Sequence, residues 1–213
     1  MSSHFAVKRY ALAAIAFCSA PAAAAESDTQ FWVQLGTVGE LGGGWTGSAI
    51  VEQRRQEGAN VNIAGVGADL AVSDGLAVGG GVQVFDEGGF TELRTYQQAR
   101  FTTGPLVLQT RLEERFFDDA DQMGLRLRQL ALFSQPLGSR TSASVSAEWF
   151  YQLRDRVEAG PRRTDQWRFI AAVRHRVAER VDLTGGYLFL IRPRPDGATT
   201  HSHIPQLTAT YRF

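Results

Sequence analysis

The chain has 213 residues, of which 22 are Lys or Arg and 22 are Asp or Glu, so its formal net charge at pH 7 is zero. This balance argues against a nucleic-acid-binding domain, because such domains carry a clustered excess of basic residues. The single cysteine, Cys18, excludes an intramolecular disulfide framework and a cysteine-based metal site.

The first 25 residues have the pattern of a cleaved export signal. Lys8 and Arg9 supply the positive charge, residues 10–17 form a short apolar core, and residues 23–25 offer a small-residue cleavage site. The apolar core is shorter than the ~20 residues that a membrane-spanning helix needs. Cleavage leaves 188 residues (213 minus 25), which contain 20 arginines, 22 acidic residues and no lysine. We therefore expect one exported domain over residues 26–213.

After the signal, apolar and polar residues alternate in segments separated by Gly, Asp, Pro and Ser, which is typical of strands in a membrane barrel. Eleven segments fit this pattern: 30–38, 44–55, 61–72, 76–86, 91–103, 106–117, 123–135, 140–153, 166–178, 181–192 and 203–213. Tight turns and longer polar loops alternate between them, as in barrels with periplasmic turns and external loops. The sequence predicts an all-β fold, an antiparallel up-and-down transmembrane β-barrel of about 10–12 strands in the outer membrane.

An odd count conflicts with the even strand number that is typical of bacterial single-chain barrels. If the chain ends in the periplasm, the alternation of turns and loops requires the first segment, 30–38, to begin outside. We expect either that one long segment contains two strands or that 30–38 is not a full wall strand.

The last segment, 203–213, has one apolar and one polar face and ends on Phe213. This ending resembles the terminal signal that the barrel-insertion machinery reads, so we expect that machinery as a partner during insertion. Outer-membrane lipid and lipopolysaccharide are the expected surroundings, and the charged loop 154–165 is expected to meet lipopolysaccharide phosphates. Aromatic residues near the strand ends predict membrane girdles. Together with the C-terminal signal, they are Trp149, Tyr151, Trp167, Tyr187, Tyr211 and Phe213.

The opposite faces of the strands carry many charges, which are predicted to line one lumen. They are Glu52, Arg54, Arg94, Arg100, Arg111, Glu113, Arg115, Arg126, Arg128, Glu148, Arg168, Arg174 and Arg176. A soluble core would not accept so many ions, because an unpaired buried charge costs several kcal/mol. Two interpretations remain open: an Arg–Glu ladder that stiffens a narrow lumen, and a selectivity lining whose arginines favour anionic solutes.

Several motifs in the middle of the chain resemble those of domain of unknown function family 2490. They are RLEERF at 111–116, RLR at 126–128 and Pro136-Leu137, accompanied by Trp32, Glu148, Phe150, Arg168, Gly186-Tyr187 and His203. The resemblance extends over residues 30–213 and implies an exported outer-membrane barrel. The family has no assigned activity, so it implies no reaction.

His201, Ser202 and His203 are the one conspicuous cluster of potentially catalytic residues. A serine hydrolase needs Ser and His within hydrogen-bond reach, but neighbours in a strand face opposite sides. His201 and His203 share a face, yet two ligands do not make a metal site. The sequence thus predicts no catalytic residue, metal or cofactor. A structural or small-solute pore is the leading expectation, and a lipid-modifying outer-membrane hydrolase and a soluble periplasmic ligand-binding barrel are the alternatives.

Overall fold

The computed structural model describes residues 26–56, 58, 60–194 and 196–213. The predicted export signal lies outside this part of the chain. The described residues form twelve strands, and no helix among them is long and apolar enough to cross a membrane. The strands are Glu26–Thr29 (β1), Phe31–Gly42 (β2), Trp45–Arg55 (β3), Asn60–Ser73 (β4), Leu76–Asp86 (β5), Thr91–Thr103 (β6), Leu106–Phe117 (β7), Gly124–Pro136 (β8), Thr141–Arg154 (β9), Arg163–Ala178 (β10), Val181–Pro193 (β11) and Thr199–Arg212 (β12).

Strands β2 to β12 form a closed barrel of eleven strands. Each strand pairs antiparallel with the next, and β12 closes the barrel by pairing parallel with β2, where Gln206 lies opposite Trp32. The short strand β1 pairs parallel with the beginning of β12. The prediction of an all-β barrel with about 10–12 strands is confirmed, and the parallel pairings of β12 with β2 and with β1 are the departures from an antiparallel design.

The parallel closure also resolves the odd strand count. The segment expected at 30–38 is a full wall strand of 12 residues, and no other segment contains two wall strands. Both explanations expected from the sequence are therefore wrong. Since β2 and β12 run in the same direction, β2 begins at the end of the barrel where β12 also begins.

The two ends of the barrel differ as the turn pattern predicted. Tight turns after β2, β4, β6, β8 and β10 lie at one end, here called the turn end, and the longer connections lie at the other, the loop end. At the first turn, Gly42, Gly43 and Gly44 all have positive φ (88°, 60° and 83°), a conformation that favours glycine.

The outer surface of the wall is apolar and the inner one largely polar. Every wall strand from β2 to β12 carries exposed large hydrophobic side chains, whereas the buried residues include many glutamines, glutamates and arginines. Small apolar clusters interrupt the polar interior, one of them formed by Trp32, Leu188, Leu190 and Ile204. This distribution is the inverse of a soluble protein and typical of a barrel surrounded by lipid.

The chain end takes part in the closure. The backbone N–H of Phe213 donates to the carbonyl of Val38 at 3.2 Å. The Phe213 ring lies so close to Gly39 that a Cβ at position 39 would come within 2.4 Å of it. The last strand therefore closes the barrel against β2.

Candidate functional site

The charged residues predicted for the lumen fall into two groups along the barrel. Most of them meet in the central lumen: Glu52, Arg54, Arg94, Arg111, Glu113, Arg115, Arg126, Arg128, Glu148 and Arg168. Arg100, Arg174 and Arg176 lie nearer the turn end, where Arg100 pairs with Asp69 at 3.4 Å and Arg176 with Asp182 at 3.4 Å. The structure thus separates a central site from a more exposed mouth.

Glu113 is the centre of the ion-pair network and is completely buried. Strand pairing places it opposite Arg126, whose Nη2 lies 2.7 Å from Glu113 Oε2. The guanidinium groups of Arg94 and Arg128 approach the same carboxylate to 4.0 Å. Because three arginines surround it, Glu113 is the residue on which the arrangement of the central lumen depends most.

Two further carboxylates extend this network. Glu92 accepts hydrogen bonds from Arg94 Nε at 2.8 Å and from Arg115 Nε and Nη2 at 2.7 and 2.8 Å. Glu148 accepts a hydrogen bond from Arg128. Charge-assisted bonds of this kind fix planar guanidinium groups in one orientation.

Sequence reasoning missed five carboxylates of the lumen: Asp69, Glu87, Glu92, Asp165 and Asp182. Three of them lie on the inward-facing alternation of their strands, which was the signal available. Asp165 was expected in loop 154–165, but β10 begins at Arg163 and an irregularity between Thr164 and Gln166 turns Asp165 to within 2.8 Å of Arg126 Nη1. The excess of arginine over acid is therefore smaller than the sequence indicated.

Aromatic rings support the central arginines. The Cζ atom of Arg54 lies 3.9 Å from the ring centroid of Trp32, and that of Arg94 lies 3.8 Å from the centroid of Phe85. Arg168 is 4.6 Å from the ring of Phe150. These distances are those of cation–π contacts, which hold the cations without neutralising them.

The central lumen contains two chambers with a shared boundary. A turn-side chamber of about 320 Å³ and a loop-side chamber of about 280 Å³ have six lining residues in common, which we call the waist. The waist consists of Trp32, Arg54, Phe85, Arg94, Arg126 and Arg168. Four guanidinium groups and two aromatic rings thus lie where one chamber meets the other.

On the outside, the aromatic residues predicted for the girdles have unequal positions. Trp149 contacts Tyr151 and Trp167 (centroids 5.3 and 5.9 Å apart) towards the loop end. Tyr211 and Phe213 lie at the turn end. Tyr187 is the middle residue of the 13-residue strand β11, so it lies at mid-height, away from both bands.

The His–Ser–His cluster is divided by the barrel wall. Ser202 is buried on the inner side, whereas His203 lies outside, bonded to the Tyr187 hydroxyl and 5.2 Å from the Phe189 ring. His201 packs on the same Phe189 ring at 5.5 Å. Ser202 and His203 therefore do not form a catalytic pair. Within the described residues, no group of three or more His, Cys, Asp or Glu is placed to hold a metal ion.

Comparisons with known proteins agree with the barrel architecture. The family described as protein of unknown function (DUF2490) matches residues 29–201. None of the curated proteins compared with the chain matches it. A NanC porin structure in a rhombohedral crystal form resembles it with a TM-score of 0.56 and 12% identity, covering 80% of this chain and 88% of that one. A KdgM porin resembles it with a TM-score of 0.52 and 11% identity, covering 74% of this chain and 82% of the porin chain. At such identities the likeness shows the fold alone.

Proposed function

Because the chain belongs to the DUF2490 family of proteins of unknown function, which carries no assigned activity, we propose its function from the lumen: an outer-membrane pore for small anionic solutes. The apolar outer surface supports the membrane part of this proposal, since exposed hydrophobic side chains on every wall strand suit lipid contact. Lipid and lipopolysaccharide are the proposed surroundings, reached with the help of the barrel-insertion machinery.

The observation that carries the pore proposal is the waist. Its four arginines lie between two chambers of about 320 and 280 Å³ that follow one another along the lumen. In the central lumen, seven arginines (54, 94, 111, 115, 126, 128 and 168) face five carboxylates (52, 92, 113, 148 and 165). Arg192 and Glu87, which also line the loop-side chamber, add one charge of each sign, so two positive charges are left. A positive constriction attracts anions and repels cations.

The test is conductance through purified protein in planar bilayers under a salt gradient. We expect discrete conductance steps and a reversal potential displaced towards that of chloride. Arg54→Gln should move the reversal potential towards cation selectivity, because Glu52 loses its close partner. Arg55→Gln is the matched control, since Arg55 is its exposed neighbour on the same strand. Absence of conductance would contradict the pore and favour the alternative interpretation, an Arg–Glu ladder that stiffens the lumen. Cation selectivity of the wild type would also contradict the proposal.

The membrane location has its own test, since the only cysteine of the chain lies in the predicted export signal. Asp121→Cys places a thiol in an exposed loop-end position and Asp74→Cys places one in an exposed turn. A membrane-impermeant maleimide added to whole cells should label the first variant and spare the second. Equal labelling of both variants, or release of the protein by osmotic shock, would contradict a transmembrane barrel with external loops.

A further inference from the structure

Two arginines of the turn-side chamber are held in a way that the other central arginines are not. Arg111 donates from Nε and Nη2 to the side-chain carbonyl of Gln98, at 3.0 and 2.7 Å. Arg168 donates from the same two atoms to the side-chain carbonyl of Gln166, at 3.1 and 2.9 Å. In this orientation of the Gln166 amide, both its oxygen and its nitrogen have hydrogen-bond partners. In both cases a neutral oxygen fixes one edge of the guanidinium and leaves its positive charge in place.

The surrounding carboxylates neutralise these two arginines less than their neighbours. Among the described residues, Arg111 has no carboxylate oxygen within 4.0 Å, and its other contact is the Tyr96 ring at 4.0 Å. The approach of Arg168 to Glu148 Oε2 stops at 3.9 Å, while Arg128 binds the other oxygen of Glu148. The two excess positive charges of the central lumen are therefore best assigned to Arg111 and Arg168.

Both arginines line the turn-side chamber of about 320 Å³. Arg128, which lines the same chamber, has a buried Nε without an acceptor among the described residues. The chamber is also lined by Arg54, Arg94 and Arg126 and by two carboxylates, Glu52 and Glu148, which pair with Arg54 and Arg128. Its neutral polar lining consists of Gln34, Gln83, Gln206 and Thr208. The chamber thus presents positioned hydrogen-bond donors with uncompensated positive charge.

We propose that the turn-side chamber is a binding site for a small oxyanion, a carboxylate or a phosphate, held by Arg111 and Arg168. Gln98 and Gln166 are the positioning residues. Planar guanidinium groups bind both kinds of oxyanion through paired hydrogen bonds, so the geometry suits the two chemistries alike. This inference rests on the proposed function and defines the class of solute for the pore, but its test measures binding without requiring conductance.

The test is isothermal titration of the folded protein in detergent micelles, with sodium gluconate and inorganic phosphate as separate probes. We expect saturable binding of at least one probe to the wild type, and the probe that binds identifies the oxyanion. Arg111→Gln and Arg168→Gln should each weaken binding about tenfold or more, the effect of losing a charged hydrogen-bond partner. A gel-mobility difference between unboiled and boiled samples verifies that each variant is folded.

The glutamines allow a sharper test, because Gln→Glu keeps the size of the side chain. Gln166→Glu gives Arg168 a carboxylate at hydrogen-bond distance, so binding should weaken about tenfold although the barrel stays folded. Gln98→Glu does the same for Arg111, but it also places a second carboxylate beside Asp69, which accepts a hydrogen bond from Gln98 Nε2 at 2.7 Å. The gel-mobility difference therefore has to show that this variant is folded before its binding is compared. Gln53→Glu, which adds the same charge at an exposed outer position, is the matched control and should bind like the wild type.

Two results would overturn the site: no saturable binding of either probe to the wild type, or unchanged binding in the Gln98→Glu and Gln166→Glu variants. The outcomes for the pore are separate. If the protein binds the probe but does not conduct, the proposed binding site stands and the proposed pore is contradicted. If the protein conducts with anion preference but shows no saturable binding, the proposed pore stands and the proposed binding site is contradicted.

Discussion

The lumen has two unlike walls. Strands β6 to β9 contribute the network of arginines and carboxylates around Glu113, whereas β2, β11 and β12 contribute the apolar cluster of Trp32, Leu188, Leu190 and Ile204. Glu113 and Leu188 are both completely buried (0% exposed). The two residues are equally buried, but one belongs to an ion-pair network and the other to an apolar cluster. The stability of the barrel should respond differently when a side chain is removed from the network and when one is removed from the cluster.

The charged wall depends on complete pairing, while the apolar wall depends on complete packing. Removing one partner of a buried ion pair leaves an uncompensated charge, at a cost of about 3–5 kcal/mol. Removing methyl groups from a packed cluster leaves a cavity, and the cost depends on how far the neighbours collapse into it. The pairs of the charged wall also fix the orientation of the arginines that face the chambers.

The largest effect is expected for Glu113→Gln. This change leaves Arg126, Arg94 and Arg128 without their common anion and should lower the free energy of unfolding by about 3–5 kcal/mol. The measurement is urea unfolding in lipid vesicles, followed by the gel-mobility shift of the folded barrel.

Glu114→Gln is the matched control for this prediction. Glu114 is the next residue on β7, faces the other side of the wall and bonds to Thr95. Because Glu114 is more exposed, we expect Glu114→Gln to lower the free energy of unfolding by less than about 1 kcal/mol. Equal losses at positions 113 and 114 would show that the network around Glu113 does not stabilise the barrel.

Leu188→Ala tests the apolar wall and should cost about 2–5 kcal/mol, the usual range for a buried Leu→Ala change. Leu188 packs with Trp32, Leu190 and Ile204, so its loss opens a cavity inside the barrel. Leu183→Ala, on the outer side of the same strand, is the control and should have the smaller effect. If both variants unfold at the same urea concentration, the inner cluster is not a packing core.

Much of the fold was predictable, because each strand carries its own signal. Alternation over 9–13 residues gave all eleven wall strands with small errors at their ends; for example, 91–103 and 106–117 agree with β6 and β7. Pairing between distant strands has no such local signal. The parallel contact between β2 and β12, and the short strand β1, depend on closure of the whole barrel and were missed.

The sequence allowed us to predict which charged residues face the lumen, but not which of them pair with each other. Alternation identifies which residues face inwards, so the central arginines and Glu113 were found together. It does not identify partners, because these depend on the register between strands and on irregularities such as the one that turns Asp165 towards Arg126. Gln98 and Gln166 were also missed, since an amide has no charge to distinguish it from any other polar residue of the lumen.

The smallest of the three effects is expected at the closure of the barrel, where β12 pairs with β2. A Cβ at position 39 would lie 2.4–2.6 Å from the Phe213 ring and carbonyl, so Gly39→Ala must displace the chain end that β2 holds. Overpacking of this kind costs about 1–3 kcal/mol. Gly36→Ala is the control on the same strand, because its Cβ would meet Ala49 O at an ordinary 3.7 Å. A lower urea midpoint for Gly39→Ala than for Gly36→Ala would show that Phe213 stabilises the parallel closure after insertion, in addition to any part it has in targeting. Equal midpoints would mean that the two strands close the barrel without help from the terminal ring.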